Sequence, residues 1–185
     1  MNNWIYSFEN IFNKEVCETL KTLVDKNAVT LNESYRKCKQ YFIPVENEII
    51  PIVKERLKLA VDEYKSMVPD NNHLAFASQM EQPSVLRYDV NAEDHFHLHS
   101  DNWNSASACR QLSVVAYLSD CEEGGETIFP NQEIILKPKQ GTVVLFPAFY
   151  THPHLATSPV SEAKYCLVTW LCYAITGAPY WTINL

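Results

Sequence analysis

The sequence predicts an α+β fold in which two N-terminal helices brace one sheet of a jelly-roll or barrel. Three observations carry that expectation. Apolar residues recur every three to four positions in two stretches before residue 69, and beyond it the period changes to two. From residue 84 onward, short runs rich in Val, Ile, Thr and aromatics are each bounded by Gly, Pro, Asn or Asp. With 185 residues and 46% hydrophobic content, the chain is long enough to bury roughly 70% of its unfolded surface as one domain. That domain divides into a helical support over residues 1–72 and a β-rich core over 73–185. A roll of this kind has a mouth between its sheets where a ligand is held away from water.

Residues 4–12 read as a short strand and turn. Asn13 is placed to cap a helix over 14–26, whose Val16, Leu20, Leu23 and Val24 share one face. Between residues 29 and 45, Thr, Tyr, Phe, Ile and charges mix without a clean period and Pro44 marks a break, so this stretch reads as an irregular strand or loop. A longer helix is expected over 47–68, with Pro51 tolerated in its first turn and Val53, Leu57, Val61, Tyr64 and Val68 along one side. Pro69-Asp70-Asn71-Asn72 ends it. Strands follow at 84–88, 95–101, 111–118, 126–129, 133–136, 141–146 and 164–173.

A net charge of −7 and the absence of any Lys/Arg stripe argue against a nucleic-acid or anionic-membrane surface, though not against a local basic pocket. The six cysteines, Cys17, Cys38, Cys109, Cys121, Cys166 and Cys172, have no pair at zinc-ligand spacing and read as free buried thiols. No stretch resembles a secretory signal or is long enough to span a bilayer, so the default expectation is a reducing, cytoplasmic setting. Composition does not address the oligomeric state.

The chemistry concentrates in His95-Phe96-His97-Leu98-His99-Ser100-Asp101, answered by Thr151-His152-Pro153-His154. In an unbroken strand His95, His97, His99 and Asp101 would share one face, with Cα atoms of residues i and i+2 roughly 6.6 Å apart. An imidazole and a carboxylate at that spacing can converge on one ion through bonds of about 2.0–2.2 Å. One more histidine from a distant strand, His152 or His154, completes two His and one carboxylate on three adjacent positions. That arrangement suits non-haem Fe(II) with positions left for a cosubstrate and dioxygen.

The order of further motifs then narrows the reading. Leu86-Arg87-Tyr88, His99-Ser100-Asp101, the run from Arg110 through Ser113 to Tyr117-Leu118, Gly124-Gly125-Glu126-Thr127-Ile128-Phe129-Pro130, residues 141–147, then His154, Pro159-Val160 and Lys164-Tyr165 follow one another across residues 84–173. In this order they resemble the prolyl 4-hydroxylase-like Fe(II)/2-oxoglutarate dioxygenases. The resemblance implies a double-stranded β-helix of the jelly-roll, cupin-like kind. It implies Fe(II) held by His99, Asp101 and a distal histidine, with 2-oxoglutarate and O2 as cosubstrates and ascorbate as an accompanying reductant.

His154 is favoured as the distal ligand because Lys164 follows it by ten positions, where the family carries the basic residue that pairs with the far carboxylate of 2-oxoglutarate. Relatives with a histidine six residues after the Phe keep His152 open. Pro159 comes one residue late, and Glu162-Ala163 replaces the usual glycine before the basic residue. Tyr117 and Tyr88 match cosubstrate-side tyrosines, each with core packing as the plainer reading. Arg110 matches a residue at the active-site mouth that orients substrate, with a surface salt bridge as the alternative. His97 is open between a supporting, a substrate-facing and a merely exposed role. Trp103 is a candidate substrate contact, Trp170 reads as core, and Gly124 and Gly125 read as a tight turn needing positive φ.

The substrate that the resemblance implies is a peptidyl proline. A free amino acid, another small molecule or another protein side chain would use the same ligands. Halogenating relatives lack the carboxylate ligand, so Asp101 points to hydroxylation. Two further readings are a metal-retaining binding module without activity and a zinc hydrolase with Glu126 as base.

Overall fold

The computed structural model describes residues 3–68, 79–90, 92–173 and 183–184. Helix α1 (Lys14–Asn27) begins at Asn13, whose Oδ1 accepts the Val16 N–H at 3.0 Å, a cap worth about 1 kcal/mol. Helix α2 (Ile50–Met67) carries proline in its first turn. It starts later than the expected residue 47 because Asn47 is spent on a turn, its Oδ1 accepting the Ile49 N–H at 3.0 Å. The expected stop at 69–72 lies outside the described residues. No helix among them is long and apolar enough to cross a membrane.

The strands are β1 (Tyr6–Phe8), β2 (Val29–Asn32), β3 (Arg36–Phe42), β4 (Gln79–Met80), β5 (Ser84–Tyr88), β6 (His95–His99) and β7 (Arg110–Tyr117), then β8 (Thr127–Phe129), β9 (Ile134–Leu136), β10 (Val143–Pro147), β11 (His154–Ala156), β12 (Lys164–Cys172) and β13 (Ile183–Asn184). They form one antiparallel sheet in the order β1-β10-β7-β12-β5-β3-β6-β11-β8-β9, with β2 on β3, β4 on β12 and β13 on β4. β10 and β8 stand far apart in that order, yet Phe146 and Phe129 meet with ring centroids 4.8 Å apart. The sheet therefore curls back over itself, which is the double-stranded β-helix.

Strand parity separates two cores. On β7, β10 and β12 the residues Leu112, Val114, Ala116, Val143, Leu145, Leu167 and Leu171 join the buried faces of α1 and α2. Their neighbours Tyr117, Val144, Phe146 and Cys166 point the other way, into the roll, with Tyr88 and Phe129. Each strand of this half is thus largely apolar on both faces, and the polar residues that make a site interrupt the inner one.

The stretch 29–45 is more ordered than its sequence implies. It forms the β2–β3 hairpin, and β3 lies in mid-sheet between β5 and β6. Arg36, Cys38 and Gln40 alternate along it, and Arg36 and Gln40 line the interior cavity. Two of those three inward positions are polar, so the alternation of hydrophobicity that announces a strand is missing.

Candidate metal centre and cosubstrate pocket

His99 and His154 are register partners on the antiparallel neighbours β6 and β11, which puts their rings 4.3 Å apart between centroids. His154 is buried against Phe129 and Phe146. Asp101 lies two residues past the end of β6, buried, with its two oxygens divided between the histidines. Oδ1 is 3.6 Å from His99 Nε2 and Oδ2 is 3.7 Å from His154 Nε2. The Ser113 hydroxyl donates to Oδ2 at 2.5 Å.

The other ring nitrogens are committed: His99 Nδ1 meets the His97 carbonyl at 2.8 Å and His154 Nδ1 meets the His152 carbonyl at 3.2 Å. A carbonyl only accepts, so both Nδ1 atoms carry a proton, and Nε2, directed at Asp101, is the atom each ring can offer a metal. At 3.6 and 3.7 Å the nitrogens and oxygens are too far apart for hydrogen bonds with one another. Donors on one ion, with bonds of about 2.1 Å, stand roughly 3–3.5 Å apart. Two imidazoles and one carboxylate at this spacing, aimed at a common point, fit a divalent transition metal such as Fe(II).

Electrostatics favour the ligand forms. Burial alone would raise the Asp101 pKa, but His154, His99 and the Ser113 hydrogen bond together outweigh it and hold the carboxyl well below the usual range. Burial pulls His154 down to about 4, so its imidazole is neutral at pH 7, the form that binds a metal.

The simple alternation expected for residues 95–101 does not hold. His154 pairs with His99 but Ala156 pairs with Phe96, three residues of β6 against two of β11, so a bulge resets the faces. Phe96 and His99 consequently both line the cavity, their rings stacked 3.6 Å apart. His97 is exposed and stacks on His95 at 4.2 Å, away from the centre. His152 also points elsewhere: its Nε2 donates to the Asn3 carbonyl at 2.8 Å while Nδ1 accepts from the Thr151 hydroxyl at 2.8 Å.

Deeper in the same cavity is Lys164, 1% exposed, opposite Tyr88 on β5. Its Nζ lies 5.4 Å and 5.6 Å from the ring centroids of Tyr88 and Tyr117 and 3.5 Å from Thr127 Oγ1. The Tyr117 hydroxyl donates to that same Thr127 oxygen at 2.8 Å. Burial lowers the Lys164 pKa, opposed by Cys166, Cys121 and Glu126, and among the described residues no carboxylate lies within ion-pair distance of it. The pocket end thus presents a buried ammonium group whose charge suits an anionic ligand.

Thr127 and Ser113 are the two participants that motif order alone did not single out. Both sit inside quoted motifs, and parity with Tyr117 on β7 would have put Ser113 on the inner face. Gly124 and Gly125 have φ of +74° and +70° as expected. A Cβ on Gly124 would lie 2.3 Å from the Ser158 carbonyl, so this turn clamps the loop that leads into Lys164.

At the outer mouth, Arg110 makes a two-point ion pair with Glu81, at 2.8 Å from Nε and 2.8 Å from Nη2, and its guanidinium lies 3.5 Å over the Trp170 ring. Its Nη1 donates to the Asp101 carbonyl at 3.2 Å. Trp170 is half-buried and lines the cavity, in contrast to the core position expected for it. Trp103, 70% exposed, joins Tyr35, Phe42 and Phe96 around this opening. Glu81 also forms a cluster with Cys109 and Cys172, all ligand atoms within 4.8 Å, but its carboxylate is already committed to Arg110. Glu126 does not line the cavity; its carboxylate accepts from Thr157 at 2.5 Å.

A sequence profile of the 2OG-Fe(II) oxygenase superfamily matches residues 83–172, which contain the triad and Lys164. Residues 83–172 belong to that superfamily. The oxygenase region has a curated relative in prolyl 4-hydroxylase 13 of Arabidopsis thaliana, 23% identical over 172 residues. That alignment takes in 78% of this chain, and the chain spans 60% of the length of the relative.

Two solved structures share the fold. A viral collagen prolyl hydroxylase from Paramecium Bursaria Chlorella virus-1, in complex with 2-oxoglutarate, superposes with a TM-score of 0.69 at 21% identity, over 90% of this chain and 94% of its own. A prolyl hydroxylase from Trichoplax adhaerens, in complex with a hypoxia inducible factor peptide fragment, gives a TM-score of 0.69 at 18% identity over 93% and 84%.

Proposed function

We propose that this chain is an Fe(II)- and 2-oxoglutarate-dependent hydroxylase acting on peptidyl proline and releasing succinate and CO2. The observation that carries the reading is the meeting, in one cavity, of the His99–Asp101–His154 triad with the buried, carboxylate-free Lys164. Bound iron with its cosubstrate would supply the oxidation of an unactivated C–H bond. The chain's own work is positional.

His99, Asp101 and His154 hold the metal, with the Nδ1 protons and Ser113 fixing their orientation. Lys164 pairs with the distal carboxylate of 2-oxoglutarate, and Tyr117 and Thr127 offer hydroxyls beside it. Tyr88 forms the wall under the ammonium group. Arg110 ties the backbone at Asp101 to Glu81 and Trp170, and so acts as a positioning residue at the mouth.

The peptide substrate finds support in the names of similar proteins, a collagen prolyl hydroxylase and a prolyl hydroxylase bound to a peptide fragment. An opening rimmed by Tyr35, Phe42, Trp103 and Trp170 is suited to an extended chain lying across it. The six free cysteines favour a reducing, cytoplasmic setting. The hydrolase reading loses its base, since Glu126 lies off the cavity.

The test is to mix the chain with Fe(II), ascorbate, 2-oxoglutarate and a panel of proline-containing peptides and free proline. Expected are succinate release and a peptide gaining the mass of one oxygen; no succinate under any condition refutes the oxygenase. Oxidation confined to free proline would move the substrate to the small-molecule class.

The two histidines of the second cluster should separate cleanly. His154→Ala is expected to lose Fe(II) binding by more than about 100-fold, beyond the 10–100-fold typical of losing a residue that merely supports a ligand. His152→Ala should retain the metal and lose only the link to Asn3. Metal content after gel filtration decides, and the reverse pattern would move the third ligand to His152.

A further inference from the structure

We propose that Arg36 is a second oxygen-binding site in the oxygenase cleft, one that takes a carbonyl or carboxylate group of the acceptor substrate and stands apart from the Lys164 end. The inference rests on the oxygenase reading above and adds to it the residue that reads the acceptor.

Strand β3 sets Arg36 opposite Phe96 in register. The two lysines on the other face of β3 are both engaged: Lys37 donates to the Ala92 carbonyl, and Lys39 pairs with Asp89 at 2.8 Å. Arg36 is not comparably engaged. Its Nε is buried without a hydrogen-bond partner, and its Nη2 stands 3.6 Å from the half-exposed Glu33 carboxylate, beyond hydrogen-bond reach. A guanidinium donor buried and unpaired is costly, and the cost is removed when a ligand oxygen arrives.

The place of this donor decides which ligand. Among the described residues Arg36 is the cation that lines both the inner cavity and the outer mouth; Lys164 lines only the inner cavity, and Arg110 lines only the mouth and is held by Glu81. The guanidinium lies 5.2 Å over the Phe96 ring, and that ring stacks at 3.6 Å on the metal ligand His99. A group bound at Arg36 is therefore one aromatic ring away from the metal centre, on the side from which an acceptor enters. The planar fork of a guanidinium matches a carboxylate at two points and a carbonyl at one. An acceptor anchored there presents its neighbouring carbon to the metal, while 2-oxoglutarate occupies the Lys164 end.

The test uses the full chain loaded with Fe(II) and 2-oxoglutarate, and three probes: an alanine-proline-glycine peptide blocked at both ends, the same peptide with a free C-terminal carboxylate, and free L-proline. Trp103 and Trp170 at the mouth report binding by fluorescence, and calorimetry gives the 2-oxoglutarate affinity. Arg36→Gln is expected to weaken at least one probe about tenfold or more, in the range of a lost charged hydrogen bond, and to change 2-oxoglutarate affinity less than twofold. Arg36→Lys, which keeps the charge without the fork, should recover part of the loss.

A loss confined to probes with a free carboxylate assigns the site to that group, and an equal loss for the blocked peptide assigns it to an internal carbonyl. Unchanged affinity for every probe overturns the proposal, as do failure of every probe to bind the unaltered chain and an equal loss of 2-oxoglutarate binding. If succinate release is absent but Arg36→Gln still loses a probe, the oxygenase reading fails and the Arg36 site stands.

Discussion

Asp101→Ala is expected to abolish Fe(II) binding and iron-dependent turnover, with metal affinity falling by more than about 100-fold. Asp101 is the carboxylate that faces both imidazoles, one oxygen toward each. Without it, His99 and His154 remain as two imidazole donors that lack the negative charge needed to offset a divalent ion in a buried site. The metal-free fold should survive the change. Truncation leaves the Ser113 hydroxyl without its acceptor but also removes a carboxylate held ionised inside the protein. Asp101→Asn separates shape from charge, since its amide oxygen can still accept from Ser113. Metal titration by calorimetry and succinate release are the measurements, and full turnover in the alanine variant would remove Asp101 from the site.

Lys164→Ala is expected to raise the 2-oxoglutarate requirement by roughly two to four orders of magnitude, as about 3–5 kcal/mol of lost pairing for a buried carboxylate demands. Turnover at saturating cosubstrate should fall far less. Stability should hold when the charge is removed and the buried volume kept.

Burial holds the ammonium pKa below that of an unfolded chain, so the unfolded state binds the proton more tightly. That mismatch destabilises the cosubstrate-free fold at neutral pH and fades as pH rises through the depressed value toward the ordinary lysine value. Lys164→Met, which keeps the volume and discards the charge, should therefore melt no lower than the unaltered chain, and its melting temperature should rise less with pH in the alkaline range. Thermal scans with and without 2-oxoglutarate measure both effects. A 2-oxoglutarate requirement left unchanged in Lys164→Ala would reassign the clamp.

Much of the fold can be read along the chain because its helices and later strands are locally consistent. Val16, Leu20 and Val24 recur at helical spacing, and Leu112, Val114 and Ala116 at strand spacing. The parts that escape such reading are those where function replaces hydrophobic residues on an inner face. β3 presents Arg36 and Gln40 to the cavity and so carries no apolar stripe to announce it. Trp170 looks like core because indoles usually are, but it forms the platform on which the Arg110 guanidinium lies.

The linear order of residues by itself determined that His99 and Asp101 lie two apart and precede a Gly-Gly-Glu-Thr turn, with Lys164 ten positions past His154, and that helices precede a β roll. These are properties of spacing and period. Only the tertiary structure decided which histidine of the second cluster faces Asp101, that Phe96 and His99 share a face, and that Thr127, Ser113 and Arg36 belong to the cavity. The physical reason is that side-chain direction depends on register: a single bulge between β6 and β11 reverses the parity that the sequence implies, and register is set by partners distant in the chain.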